Sequence, residues 1–431
     1  MESIGCWNYI SVVRNIKVSL LFHANLLYAE FPFSRIADIV SSSYIPVLRA
    51  VLSVPEVKAV FNFSGFSLEL LAGEHPEYFP GSPEVLDLLR QGIASKRIEL
   101  AGTSWAHAVL PLLPLWLMEE DINLFQKTVR RVLGITPSGF FPPELAVSPL
   151  LPELLRNEGY VWSFVDSDLV DFSKRHALNT ANEFDVNPMP LTKLSARASR
   201  GGIWEKFRFL RMLTKLIAET REFHPLSWEG TGGNRIWGIK LESAWITLTL
   251  LCLSRMLFFG EKQLLHAIHK SLAHVQGKTD GLFFPYSSDI EFYGVGGNTI
   301  KTAIPVSRLK DVLVRLGEDE AVSFALPSDV CGKFPPDKNT ESCYIKAGSW
   351  SSDRNFDLWQ SDPDNYSLGS ASLEAASLFL QKRGKLDKEQ EQLLLKDLLL
   401  AFNSDGRGWT PLPEHRLFCY NKAMAVRRTL K

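Results

Sequence analysis

From Val18 to Val165 short apolar runs alternate with stretches of helical spacing, and that alternation sharply narrows the folds open to the chain. The run 18–22 stops at His23, and helical spacing over 34–52 follows, with a break or kink expected at Pro46. A second run, 60–64, leads into a helix over 66–72. A helix over 83–96 precedes a strand over 98–102, one over 117–133 precedes 139–141, and 148–158 and 161–165 give a further helix and strand. Strands alternating with amphipathic helices predict an α/β fold on a parallel sheet, closed as a barrel or doubly wound. In such folds chemistry lies where the strands end, which draws attention to His23, Asn62, Gly102, Glu144 and Asp166.

The pattern breaks over 170–235, a segment containing Gly, Ser and Pro together with Trp204 and Trp228. It is too long for a simple connection and reads as a lid or subsite insertion. Strand signals return at 236–239 and 282–286, with a helix over 261–275 between them, and 244–260 reads as a buried strand running into a helix. Beyond 306 the spacing is helical at 306–316, 368–382 and 388–401, with 327–348 as loop. These features predict a domain over 1–305 carrying the 170–235 insertion, followed by a helical domain over 306–431.

Composition narrows the partners. A chain of 431 residues with 45% hydrophobic side chains can bury a core without disulfides, and a net charge of -1 gives no field that gathers nucleic acid or anionic lipid. The nearest basic stretch, 193–211, reads as a solvated face. Five scattered cysteines without a C-x-x-C pair fit reduced thiols and a cytoplasmic protein; Cys331 and Cys343 are close enough in sequence to bridge in an oxidising setting, but two separate loop thiols is the preferred reading. Residues 1–5 carry an acid and no cationic start, unlike a signal peptide, and Arg255 interrupts the longest apolar stretch, so no membrane segment is expected. No Gly-rich phosphate loop occurs, Gly294-Val295-Gly296-Gly297-Asn298 reads as a turn, and no cofactor is expected.

Glu144, after the rigid pair Pro142-Pro143, and Asp289, before Phe292 and Tyr293, are carboxyls at strand ends. Cleaving a glycosidic bond takes two such groups, one to attack the anomeric carbon or activate water and one to protonate the leaving oxygen. Taken singly, each acid is more often a helix cap or an ion-pair partner.

Several segments, in order, resemble the motifs of glycoside hydrolase family 57, which includes alpha-amylases, 4-alpha-glucanotransferases, branching enzymes and alpha-galactosidases. Leu21-Phe22-His23-Ala24-Asn25 is similar to the first motif, Glu99 to Pro111 with Trp105 and His107 to the second, and Gly139 to Pro149 to the third. Ser288-Asp289-Ile290-Glu291-Phe292-Tyr293-Gly294 is similar to the fourth, and Gly348-Ser349-Trp350, with Asp353, Trp359 and Asn365 downstream, to the fifth.

The resemblance implies an incomplete seven-stranded (β/α)7 barrel followed by a C-terminal helical domain, a retaining mechanism, Glu144 as nucleophile and Asp289 as acid/base. It implies an oligo- or polysaccharide substrate of alpha-glucan type, held by His23, Asn25, Trp105, His107, Glu291, Trp350 and Asp353; core packing is the alternative to sugar stacking for Trp105, Trp350 and Trp359, and the preferred one for Trp359. The sequence departs from the family where Leu145-Ala146-Val147 follows Glu144 without an Arg, and where Lys240-Leu241-Glu242 stands in place of an Arg-Asp pair.

Two other readings compete. A glycan-binding or regulatory protein would keep the barrel and lose turnover. A metal-dependent polysaccharide deacetylase would use His23, His107 and Asp166, but it needs an Asp-Asp start and an H-x-x-x-H pair, and neither is present. His266, His269 and His274 lie at i, i+3 and i+8, which a helix surface explains without a metal.

Overall fold

The computed structural model describes residues 16–177, 223–255, 260–274, 281–297, 302–351, 353–408 and 411–431, with a few more between 202 and 213. Most of the expected 170–235 insertion lies outside them. Ten strands are described: β1 (Ile16–Ala24), β2 (Ala59–Phe63), β3 (Ile98–Ala101), β4 (Gly139–Phe140), β5 (Trp162–Asp166), β6 (Leu226–Glu229), β7 (Arg235–Leu241), β8 (Leu282–Asp289), β9 (Val322–Phe324) and β10 (Ser342–Tyr344).

Two sheets form, in the orders β3-β2-β1-β8 and β10-β6-β7-β5-β4. A parallel bridge between Gly102 and Phe140 joins β3 to β4 through hydrogen bonds from Gly102 N to the Gly139 carbonyl (2.8 Å) and from Phe141 N to the Gly102 carbonyl (2.7 Å). The parallel strands then run β8-β1-β2-β3-β4-β5-β7, seven in all, with no ladder between β7 and β8 among the described residues. That is the incomplete α/β barrel expected from the resemblance. β6 returns antiparallel on β7, β10 adds to β6, and β9 joins the lower end of β1.

Alternation along the strands divides the core. Leu21, Val60, Ala101, Phe141, Phe164 and Phe284 face one another inside the curled sheet, while Leu20, Phe22, Ala59 and Phe61 pack outward in the cluster that includes the surrounding helices. His23 and Asn62 continue the inward phase of Leu21 and Val60, so they stand on top of the apolar filling. β8 slips register against β1 between the partners of Val18 and Leu20, the stretch that holds Pro285. A bulge is where a strand tolerates a residue with no N–H to donate.

Two sequence expectations change. The segment after β7 is a helix, Ser243–Leu253, with no strand at its start, because its apolar residues wrap the helix on all sides and bury against β8. The span 327–348 is not all loop: it contains the short helix Pro327–Cys331 and β10. Cys331 and Cys343 are free thiols, the first buried in that helix and the second on β10. The helix over 34–52 contains a π turn, Val40–Tyr44, just before Pro46, where the missing N–H interrupts the ordinary ladder.

The C-terminal helices Pro363–Lys382, Lys388–Ala401 and Pro413–Leu430 pack on one another. The turn after Ala401 is wedged against the segment following β3: Asn403 Nδ2 donates to the Ala106 carbonyl at 2.7 Å and Ser404 N to the His107 carbonyl at 3.0 Å. No helix among the described residues is long and apolar enough to cross a membrane.

Candidate active site

The site is built over the C-terminal ends of the strands. Asn62 Nδ2 donates to the carbonyls of Ala101 (3.1 Å) and Gly102 (3.4 Å), which fixes its Oδ1 as the acceptor for His23 Nδ1 at 2.7 Å. His23 Nδ1 therefore carries the proton and Nε2 presents a lone pair. Burial, then the His107 charge, push His23 down to about 3, so the ring is neutral at any ordinary pH.

His107 behaves in the opposite way. Burial acts to lower it, but the hydrogen bond and charge of Asp405, with Glu144 and Asp289 beyond, hold it above the ordinary histidine value. Its Nδ1 is 2.9 Å from Ser404 Oγ and 3.3 Å from Asp405 Oδ2, while its Nε2 is buried with no protein partner. The His23 ring is sandwiched between His107 (4.9 Å) and Phe141 (5.0 Å).

Glu144 leaves β4 by way of Pro142 and Pro143 with φ 58, and His107 has φ 54, both in the left-handed region that a side chain adopts at a cost of about 1–3 kcal/mol. Trp350 Nε1 donates to Glu144 Oε2 at 2.8 Å. Burial raises the Glu144 carboxyl above the usual carboxylate range, whereas the His107 charge, the Trp350 indole and Ser404 pull it back. Asp289, opposite His23 in the β1–β8 register, accepts from Tyr28 Oη at 2.9 Å. Burial and the Glu144 charge drive it to about 7 against the pull of Tyr28. Glu144, Asp289, Tyr28 and Trp350 all keep partial solvent exposure, as a site open to a ligand requires.

The other expected ligand residues divide. Asn25 is buried beneath the site, donating to Asp405 Oδ2 at 2.5 Å and accepting from Ser64 at 3.2 Å. Glu291 is fully buried against Tyr44 Oη (2.5 Å), and burial, then the Asp289 charge, push its carboxyl well above the usual range. Trp105 is not brought to the site. Its ring is enclosed by Gly65, where a Cβ would lie 2.3 Å from it, by Phe66 edge-on at 5.5 Å and by the Lys396 ammonium at 5.2 Å, so no face is left for a sugar. Asp353 is exposed on the Trp350 loop, and Trp359 is buried edge-on against Trp350 at 6.1 Å.

The residues that sequence reasoning missed are Tyr28, Ser404 and Asp405. The Ser404-Asp405-Gly406 turn directly after a helix was the available signal for the last two; for Tyr28 there was none. Among the described residues no group of three His, Cys, Asp or Glu side chains is placed to hold a metal ion.

Residues 11–196 match the sequence profile of glycosyl hydrolase family 57. Alpha-amylase 1 of Dictyoglomus thermophilum is 26% identical over 155 residues, which are 36% of this chain and 21% of that protein. The 4-alpha-glucanotransferase of Thermococcus litoralis superposes with a TM-score of 0.69 at 17% identity, covering 97% of this chain and 60% of its own. A branching enzyme of that family from Thermococcus kodakaraensis gives 0.67 at 13% identity, covering 96% and 89%. The chain thus spans about a fifth of the amylase and three fifths of the glucanotransferase. Residues 11–196, somewhat under half of the chain, thus resemble glycosyl hydrolase family 57 in sequence, and the seven-stranded barrel agrees with the fold of the superposed structures.

Proposed function

We propose that the chain is a retaining glycosidase or transglycosidase acting on alpha-glucans or related alpha-linked oligosaccharides. Glu144 attacks the anomeric carbon to form a glycosyl-enzyme as Asp289 passes its proton to the leaving oxygen; Asp289 then takes a proton from water or from an acceptor hydroxyl that displaces Glu144.

The observation that carries this reading is the division of labour between the two carboxyls. Asp289 keeps its proton to about 7 and can act as an acid. Glu144 has the indole of Trp350 and the charge of His107 on the ionised form that a nucleophile requires. His23 Nε2 offers an acceptor and His107 Nε2 a donor to sugar hydroxyls.

The test is turnover of maltooligosaccharides, amylose and aryl alpha-glycosides by wild type, Glu144→Gln and Asp289→Asn, with the anomer of the first product read by NMR. Each variant should lose about a thousandfold or more in kcat, and the product should retain the alpha configuration. Full turnover in either variant, or an inverted product, would overturn the assignment.

A further inference from the structure

The loop that brings Trp350 to Glu144 is held from outside the site. Gly348 pairs with Val147 in an antiparallel bridge, so the loop starts beside the segment that follows the nucleophile. It closes on itself at Arg354, whose φ is 56 and whose carbonyl lies where a Cβ on Gly348 would come within 2.2 Å. The Arg354 side chain is buried and forked. Nη1 donates to Asp166 Oδ1 at 3.2 Å and to the Trp350 carbonyl at 3.4 Å, and Nη2 donates to Asp168 Oδ2. Asp166 ends β5 and is itself fixed, accepting from Leu169 N at 2.8 Å. A continuous path therefore runs from the end of β5 through one guanidinium to the Trp350 backbone, and through its indole to Glu144 Oε2 at 2.8 Å.

We propose that Asp166 and Arg354 are positioning residues, holding the 348–354 loop so that the Trp350 indole stays on the Glu144 carboxylate. A guanidinium suits the task because its planar fork serves a carboxylate and a carbonyl together, which a lysine ammonium does with less geometric control. The proposal rests on the reading of Glu144 as the nucleophile, because only then does the indole contact govern turnover.

The test is a double-mutant cycle on the full chain with Arg354→Met, Trp350→Phe and both together, assayed on an alpha-glucan. Each single change should lower kcat about tenfold, the loss expected for one hydrogen bond to a charged group, with KM changed less than about twofold. The double variant should be no worse than Trp350→Phe alone, because Arg354 acts through Trp350. Losses that multiply, or an unchanged kcat in Arg354→Met, would overturn the proposal. If Arg354→Met does not fold, Arg354→Lys takes its place in the cycle.

A second readout needs no turnover. In protein labelled with 5-fluorotryptophan, the fluorine resonance that disappears in Trp350→Phe belongs to Trp350. It should move in both Glu144→Gln and Arg354→Met. A resonance that stays in place in Arg354→Met refutes the clamp. If wild type processes no alpha-glucan, the reading of Glu144 fails by itself, and the resonance still decides whether Arg354 holds Trp350.

Discussion

The imidazoles of His23 and His107 lie face to face, with centroids 4.9 Å apart and planes 28° from parallel, and their surroundings shift them in opposite directions. His23, buried and beside its neighbour's charge, is lowered to about 3; His107, with Asp405 on Nδ1, is raised. One ring is thus a neutral acceptor, and the other is shifted toward its charged form, which acts on Glu144 where the sequence offers no Arg.

This gives a prediction for His107→Gln. The His107 charge lowers the Glu144 carboxyl, so its removal raises that carboxyl further. In its proposed role as nucleophile Glu144 must be ionised, so the acid limb of the pH–rate profile moves to higher pH. Activity should fall at least about threefold more at pH 5 than at pH 7 relative to wild type. An acid limb left in place would show that His107 does not act on Glu144.

The barrel was legible in the sequence because strands buried on both faces read as unbroken apolar runs, and Leu21, Val60 and Phe164 now fill its interior. His23, Glu144 and Asp289 could be placed from the strands they end or follow, and His107 from the motif resemblance after β3. Trp105 was placed wrongly because a tryptophan beside a polar motif looks the same whether it faces a sugar or, as here, Phe66 and Lys396. The turn after a helix marked Asp405 as a position but not its role, which comes from a contact with Asn25 across 380 positions. Long-range wedging of the C-terminal turn into the barrel leaves no periodic trace.

As the proposed acid, Asp289 sets the other limb. Its carboxyl is raised to about 7, by burial and by the Glu144 charge, and an acid must hold its proton, so activity should decline above pH of about 7. The Tyr28 hydroxyl favours the ionised form and so lowers this group. Tyr28→Phe removes that donor, and the basic limb should move to higher pH, measured as kcat/KM between pH 6 and pH 9. A shift toward lower pH would contradict the assignment of Asp289 as acid.

Gly294 closes the loop that carries Asp289 and Glu291. Its φ is 85, and a Cβ there would stand 1.9 Å from the Ser42 carbonyl oxygen, inside the π turn. Both partners are backbone, so neither can swing away. Gly294→Ala should cost more than about 2 kcal/mol in chemical denaturation, with strain and overlap acting together. A loss below about 0.5 kcal/mol would show that the loop relaxes freely.

Glu69 ties the helix Lys388–Ala401 to the barrel. Its carboxylate is fully buried and meets Lys396 Nζ at 2.8 Å, Arg131 Nη2 at 3.0 Å and His75 Nε2 at 3.0 Å. Burial alone would raise it, but the hydrogen bonds from His75 and Lys396 and the Lys396 charge bring it down to about 2. A carboxyl depressed on folding adds stability that is present above its unfolded value and is lost as pH falls toward the folded one. Glu69→Gln keeps the shape and removes the charge, leaving Lys396 unpaired. It should destabilise by about 3 kcal/mol at pH 7, of the order found when one partner of a buried pair is removed. The gap between wild type and variant should close as pH falls from about 5 to about 2, followed by urea denaturation at each pH. A gap that stays constant over that range would mean that Glu69 contributes by packing and not by charge.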